Sequence, residues 1–180
     1  VTDAQAIAVT VTPANDNNPV ITSNGGGATA AVNVAENATA VTTVTATDAD
    51  LPAQTLTYSI SGGADAARFS INASTGVLSF IAAPNYEAPT DAGANNVYDV
   101  TVRVSDGTRT DTQAIAVTVT PVSDINPVIT SNGGGATAAV NVAENATAVT
   151  TVTATDADLP APTLTYSISG GADAARFTIN

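Results

Sequence analysis

Residues 1–72 and 109–180 are one sequence written twice, with seven differences: Val1/Arg109, Ala4/Thr112, Ala14/Val122, Asn15/Ser123, Asn17/Ile125, Gln54/Pro162 and Ser70/Thr178. Pro19 recurs as Pro127, so the repeat is about 108 residues long, a common size for one domain. A period of that length makes each repeat close its own core, and the chain reads as a string of equivalent domains. The divisions that follow are 1–13, the last strand of one repeat; 14–19, a linker; 20–121, a complete repeat; 122–127, a second linker; and 128–180, the first half of another. Near-identity of the copies marks recent duplication, and the sequence reads as an excerpt of a longer tandem array.

Within the complete repeat the hydrophobic period is two. Tyr98, Val100, Val102 and Val104 alternate with Asp99, Thr101, Arg103 and Ser105, the pattern of a half-buried strand. Ile115, Val117 and Val119 alternate with Ala116, Thr118 and Thr120, and 111–120 reads as the last strand. Shorter runs at 20–23, 31–34, 41–47, 55–60, 68–72 and 76–81 complete the set. Leu56, Tyr58 and Ile60 share one face, and Phe69, Ile71, Leu78 and Phe80 are expected to point at the same core. Turn signals separate the runs: Asn24-Gly25-Gly26-Gly27, Gly62-Gly63, Ser74-Thr75-Gly76 and Asp106-Gly107. The class is therefore all-β, seven or so short strands in a β-sandwich. The triple glycine has no helix after it and reads as a turn, not a phosphate loop.

Composition excludes several functions. Four basic residues stand against sixteen acidic ones, for a net charge of −12. Such a surface has no basic contacts for nucleic-acid phosphates, but it suits metal cations. His, Cys, Trp and Met are absent, which removes most catalytic devices, so an enzyme is not expected. A paired-carboxylate glycosidase or a sugar-binding module is disfavoured by the lack of aromatic platforms. Without cysteine there is no disulfide framework, which fits a bacterial exported protein better than a disulfide-stapled ectodomain. No run approaches the roughly 18 apolar residues of a membrane span.

The acids fall into two groups. Asp65, Asp91, Asp99 and Asp111 are scattered and read as surface charge. The others cluster near strand ends. Asp48 and Asp50 are two apart, on one side of an extended chain, and Asp106 closes a strand before Gly107. Glu36-Asn37 and Asn85-Tyr86-Glu87 lie in bends. Carboxylates placed close together repel unless a cation lies among them. Calcium suits such a set, because it takes six to eight hard oxygens, carbonyls included. Zinc would require His or Cys.

At these residues the sequence resembles the cadherin repeat family, in its bacterial cadherin-like form. Glu36 matches the acid of the family's Glu-Asn, and Glu87 the second glutamate, with Asn85 where the family carries Asp. Asn15-Asp16-Asn17-Asn18-Pro19 reproduces the core of the linker motif, with Pro13 in place of its leading Asp. Asp48 and Asp50 match the Asp-x-Asp pair, and Asp106 the late aspartate. The resemblance implies tandem cadherin-like (Ig-like, Greek-key) seven-strand β-sandwich repeats, with three Ca2+ ions at each junction. It further implies that Asn15, Asp16 and the Asn17 carbonyl meet Asp48, Asp50 and Asp106 at the first junction. At the second it implies that Glu36, Asn85 and Glu87 meet Asp124, the Ile125 carbonyl, Asp156 and Asp158. Ser123, a weaker oxygen ligand than Asn15, is expected to leave fewer or weaker ions there.

The function these readings lead to is a calcium-rigidified spacer in a large extracellular adhesin or matrix protein of a bacterial surface, partnered by neighbouring repeats of its own chain. The alternative is a protein whose repeats contact identical chains, homophilically or as a filament.

Overall fold

Alternating Val, Ile and Thr favours extended chain with one face inward, and the described residues, 1–180 of a computed structural model, are organised by that pattern. They divide into two units, Val1–Thr120 and Pro121–Asn180. In the first, the strands are β1 (Val20–Ile21), β2 (Thr29–Ala35), β3 (Ala40–Thr43), β4 (Ala46–Thr47), β5 (Thr57–Gly62), β6 (Phe69–Ile71), β7 (Val77–Phe80), β8 (Val97–Ser105) and β9 (Thr110–Thr120). A four-stranded sheet runs β2-β9-β8-β5 and a three-stranded sheet runs β3-β7-β6, while β1 pairs only with β4. Every pairing is antiparallel except that of β2 with β9, which is parallel. Residues 1–13 carry no assigned strand and are exposed.

The two long strands behave as their alternation predicts. Tyr98, Val100, Val102 and Val104 of β8 are buried, as are Ile115, Val117 and Val119 of β9, with Tyr98 opposite Val117 and Val100 opposite Ile115. Phe69, Leu78 and Phe80 of the other sheet join them in one core, with Leu56, Tyr58, Ile60 and Ile71 packed at its margin. The rings of Phe69 and Phe80 stack at 4.6 Å, and Tyr98 meets Phe80 edge-on at 5.2 Å, geometries that follow the aromatic quadrupole.

Three expectations are corrected. The run 41–47 is not one strand: β3 ends at Thr43, buried Val44 takes Gly76 O as acceptor for its N–H, and β4 turns to pair with β1. Gly76 enforces the break, because it holds φ +71 and a Cβ there would run into the Val44 carbonyl oxygen. Asp65 and Asp91 are not surface charges. Both are buried; Asp65 accepts the N–H groups of Ala92 (2.7 Å) and Asp99 (2.9 Å), and Asp91 those of Gly93, Asn95 and Asn96. Asp111 likewise accepts the Ile21 N–H at 2.9 Å. Exposed Asp99 alone fits the surface reading. Backbone N–H donors that no pattern in the sequence announces cover the other three, and a carboxylate is their natural acceptor.

A buried polar residue also escapes the alternation pattern. Gln113 is fully buried on β9 and donates from Nε2 to the Ser23 (3.3 Å) and Gly27 (2.8 Å) carbonyls, which ties the glycine-rich turn to the sheet.

In the second unit, β10 (Val128–Ile129) pairs with β11 (Ala154–Thr155) in the register of β1 with β4. Asn132 repeats the positive φ of Asn24, 51° against 52°. Val140, Val142, Tyr166, Ile168, Phe177 and Ile179 are exposed, whereas their counterparts in the first unit, at 32, 34, 58, 60, 69 and 71, pack on its core. Residues 121–180 hold no copies of β7, β8 and β9 for them to pack against.

Candidate metal centre

The first site forms where three chain segments reach one end of the first unit. Asp48 and Asp50 follow β4, Asp106 follows β8, and the linker residues 15–17 cross beside them. One carboxylate oxygen from each of Asp48, Asp50 and Asp106 lies within 4.8 Å of the others. Asp50 is buried and anchors the linker: it accepts the N–H groups of Asp16 (3.1 Å) and Asn17 (3.1 Å) and the Asn17 side-chain amide. That amide, followed by the linker N–H donors, holds the Asp50 carboxyl below the usual range despite its burial. Asp106 is the hub of a turn. Its Oδ1 accepts the N–H groups of Arg109 (2.6 Å) and Thr108 (2.7 Å) and the Thr108 hydroxyl (3.2 Å). The Arg109 N–H leads the donors that lower its pKa. With Oδ1 so occupied, Oδ2 is the atom left to face the linker.

Asp48 supplies the test of whether a cation fits. Its Oδ1 accepts the Asp50 N–H at 2.9 Å, while its Oδ2 is buried with no hydrogen-bond partner. A buried, unmatched carboxylate oxygen beside two further carboxylates is costly without positive charge. The donor set is oxygen only, with no His or Cys in the chain, so the residues fit calcium and do not fit zinc. Asp16 itself is exposed, and Arg109 reaches Asn18 Oδ1 at 3.3 Å from the flank of the linker.

At the other end of the same unit, buried Glu36 follows β2 and accepts the Tyr86 N–H at 2.8 Å. The carboxylates of Glu36 and Glu87 have oxygens within 4.8 Å of each other. Asn85 does not join them through its side-chain oxygen, which caps its own turn by accepting the Glu87 (2.8 Å) and Ala88 (3.1 Å) N–H groups. The loop that presents Glu87 is held from behind by Asp91 and Asp65, by Asn96 donating to the Tyr86 carbonyl (3.0 Å), and by Tyr98 accepting the Thr90 N–H (3.1 Å). Sequence reasoning missed these supports, because only the fold brings Asp65 to a loop 27 residues away.

In the second unit the linker is fastened in the same manner. Asp158 accepts from the Ser123 hydroxyl (3.0 Å), the Ile125 N–H (3.0 Å) and the Asp124 N–H (3.3 Å), and Asp156 Oδ1 accepts the Asp158 N–H (2.9 Å). Burial pushes the Asp158 pKa up, but the Ile125, Ser123 and Asp124 donors outweigh it and leave the group below its ordinary value. The exchange of Asn17 for Ile125 leaves this backbone anchor intact.

Comparison with known proteins gives the same family from three directions. The cadherin domain family model matches residues 30–120. Human Protocadherin Fat 1 is 32% identical over 97% of this chain, and human Cadherin EGF LAG seven-pass G-type receptor 2 is 36% identical over 87%. The chain spans only 4% and 5% of those two proteins. The ectodomain of human Desmocollin-1 superposes with a TM-score of 0.57 at 25% identity, covering 82% of this chain and 28% of that one. Domains EC1-2 of human Protocadherin-24 superpose with a TM-score of 0.54 at 24% identity, covering 81% of this chain and 62% of that one.

Proposed function

This chain belongs to the cadherin domain family, and on that premise we propose that it is a calcium-stiffened spacer, a run of repeats whose carboxylate-lined ends bind Ca2+ and fix one repeat to the next. Cadherin domains typically mediate adhesion and bind calcium. No helix is long and apolar enough to cross a membrane. The observation that carries the proposal is the buried, unpartnered Asp48 Oδ2 beside Asp50 and Asp106. Asp48, Asp50 and Asp106, with Asn15, Asp16 and the Asn17 carbonyl, would hold the ions of the first set. The family pattern assigns Glu36 and Glu87, then Asp124, the Ile125 carbonyl, Asp156 and Asp158, to the next, with Asn85 left to its turn. The ions would supply positive charge at each set; the chain supplies prearranged oxygens, and the hydrogen-bond donors on Asp50, Asp106 and Asp158 favour the ionised form of those acids. An extracellular place suits weak sites of this type, with Kd about 10⁻⁴–10⁻³ M. The cysteine-free composition supports a bacterial surface as the setting.

Thermal melting in millimolar calcium and then in excess chelator tests this. Ions that bind only the folded chain raise its stability by mass action, by about 2.7 kcal/mol at a hundred times Kd. A melting temperature that rises with calcium and returns with chelator is expected, and identical melts in both would refute the reading.

A further inference from the structure

Resting on that reading, we infer that Asn15 is a built-in stand-in for the cation: its side-chain NH2 holds the first site together when calcium is absent and rotates away to present its oxygen when calcium binds.

One terminal atom of the Asn15 amide lies 3.1 Å from Asp50 Oδ2 and 3.0 Å from Asp106 Oδ2, and 3.1 Å from the Thr108 hydroxyl. Both carboxylate oxygens are acceptors only, so with no cation present the inward atom has to be nitrogen. Turned so, the amide donates to both carboxylates and bridges the linker to two otherwise repelling acids. With a cation among the three oxygens the preference inverts: Asp50 and Asp106 turn their charge on the ion, and an inward NH2 would face positive charge. A half-turn about the last side-chain bond replaces the donor with a hard oxygen ligand, and the backbone anchor of the linker on Asp50 needs no change. Asparagine alone among the uncharged side chains carries both a donor and an acceptor on one short, rotatable plane at this reach.

At the position equivalent to Asn15, Ser123 carries one donor proton and places its hydroxyl on Asp158 Oδ2 at 3.0 Å; residues 121–180 hold no counterpart of Asp106.

The test uses the 180-residue chain with calcium chloride as the probe and two readouts. The first is the hydrogen exchange and chemical shift of the Asn15 side-chain NH2 by NMR. Those protons are expected to be protected in chelator and to become fast-exchanging and shifted once calcium saturates the site. The second is calcium affinity by titration calorimetry, together with melting in chelator, for Asn15→Asp and Asn15→Ser. Asn15→Asp adds a further carboxylate to the set, so it is expected to bind calcium more tightly yet melt at a lower temperature than the parent in chelator. Asn15→Ser is expected to weaken calcium binding by about tenfold. Calcium binding with the Asn15 NH2 equally protected in both states, or equally exposed in both, overturns this inference while the calcium reading stands. Failure of the parent chain to take up calcium overturns the calcium reading itself. Asn15→Asp melting in chelator like the parent would also overturn the inference, since the amide would then hold nothing together.

Discussion

Asp65 and Asp99 are each a lone acid between uncharged neighbours in the sequence, yet the fold gives them opposite roles. Asp65 accepts two backbone N–H groups inside the protein, and Asp99 faces water. Asp65→Ala leaves both donors unmatched and is expected to cost on the order of 3 kcal/mol, whereas Asp99→Ala should stay within about 0.5 kcal/mol; urea denaturation in calcium separates them. The contrast was not legible beforehand because it depends on contacts 27 and 34 residues away, not on neighbours. The acids of the candidate metal centre stand out in the sequence because their grouping is local: Asp48 with Asp50, Glu36 with Asn37, Glu87 with Asn85. At the same scale, the folded pKa values of Asp50 and Asp106 lie below the unfolded 3.8. Groups depressed in this way contribute stability that is present above pH 3.8 and lost as the pH falls through the folded values. In chelator, melting temperature is therefore expected to hold down to about pH 4 and fall below it, and a rise in melting temperature across that range would contradict the donor geometry.

Among elements, the strongly alternating strands β8 and β9 were readable almost to the residue, because both carry a continuous buried face and pair with each other over their length. The run 41–47 was not. It has a strand's composition, but its two halves pair with different partners, and the switch is set by Gly76 across the core. Gly76→Ala puts a methyl group against the Val44 carbonyl at a positive φ and is expected to destabilise by more than about 1 kcal/mol, measured by chemical denaturation. A loss of only a few tenths would mean that the 41–47 segment relaxes around the methyl. The same dependence on distant partners appears between the copies. Asp65 is buried in the first unit, and its counterpart Asp173 is exposed and paired with Arg176 at 3.3 Å, because residues 121–180 lack copies of the loop and strand that cover Asp65.

Across the whole molecule, the repeat length and the ordered series of acids carried most of the functional reading. A repeat of about 108 residues whose buried core is largely Val, Ile and Leu, with an aromatic trio at its centre, stabilises itself and leaves its ends to be decided by charge. Sixteen acids against four bases make those ends self-repelling without cations, so calcium is expected to govern whether consecutive repeats move together. The measurement that meets this claim most directly is backbone ¹⁵N relaxation of the chain, comparing Val1–Thr120 with Pro121–Asn180 in calcium and in chelator. The account predicts one shared rotational correlation time in calcium, and two shorter, distinct ones once calcium is removed. Separate tumbling of the two units in saturating calcium would contradict it.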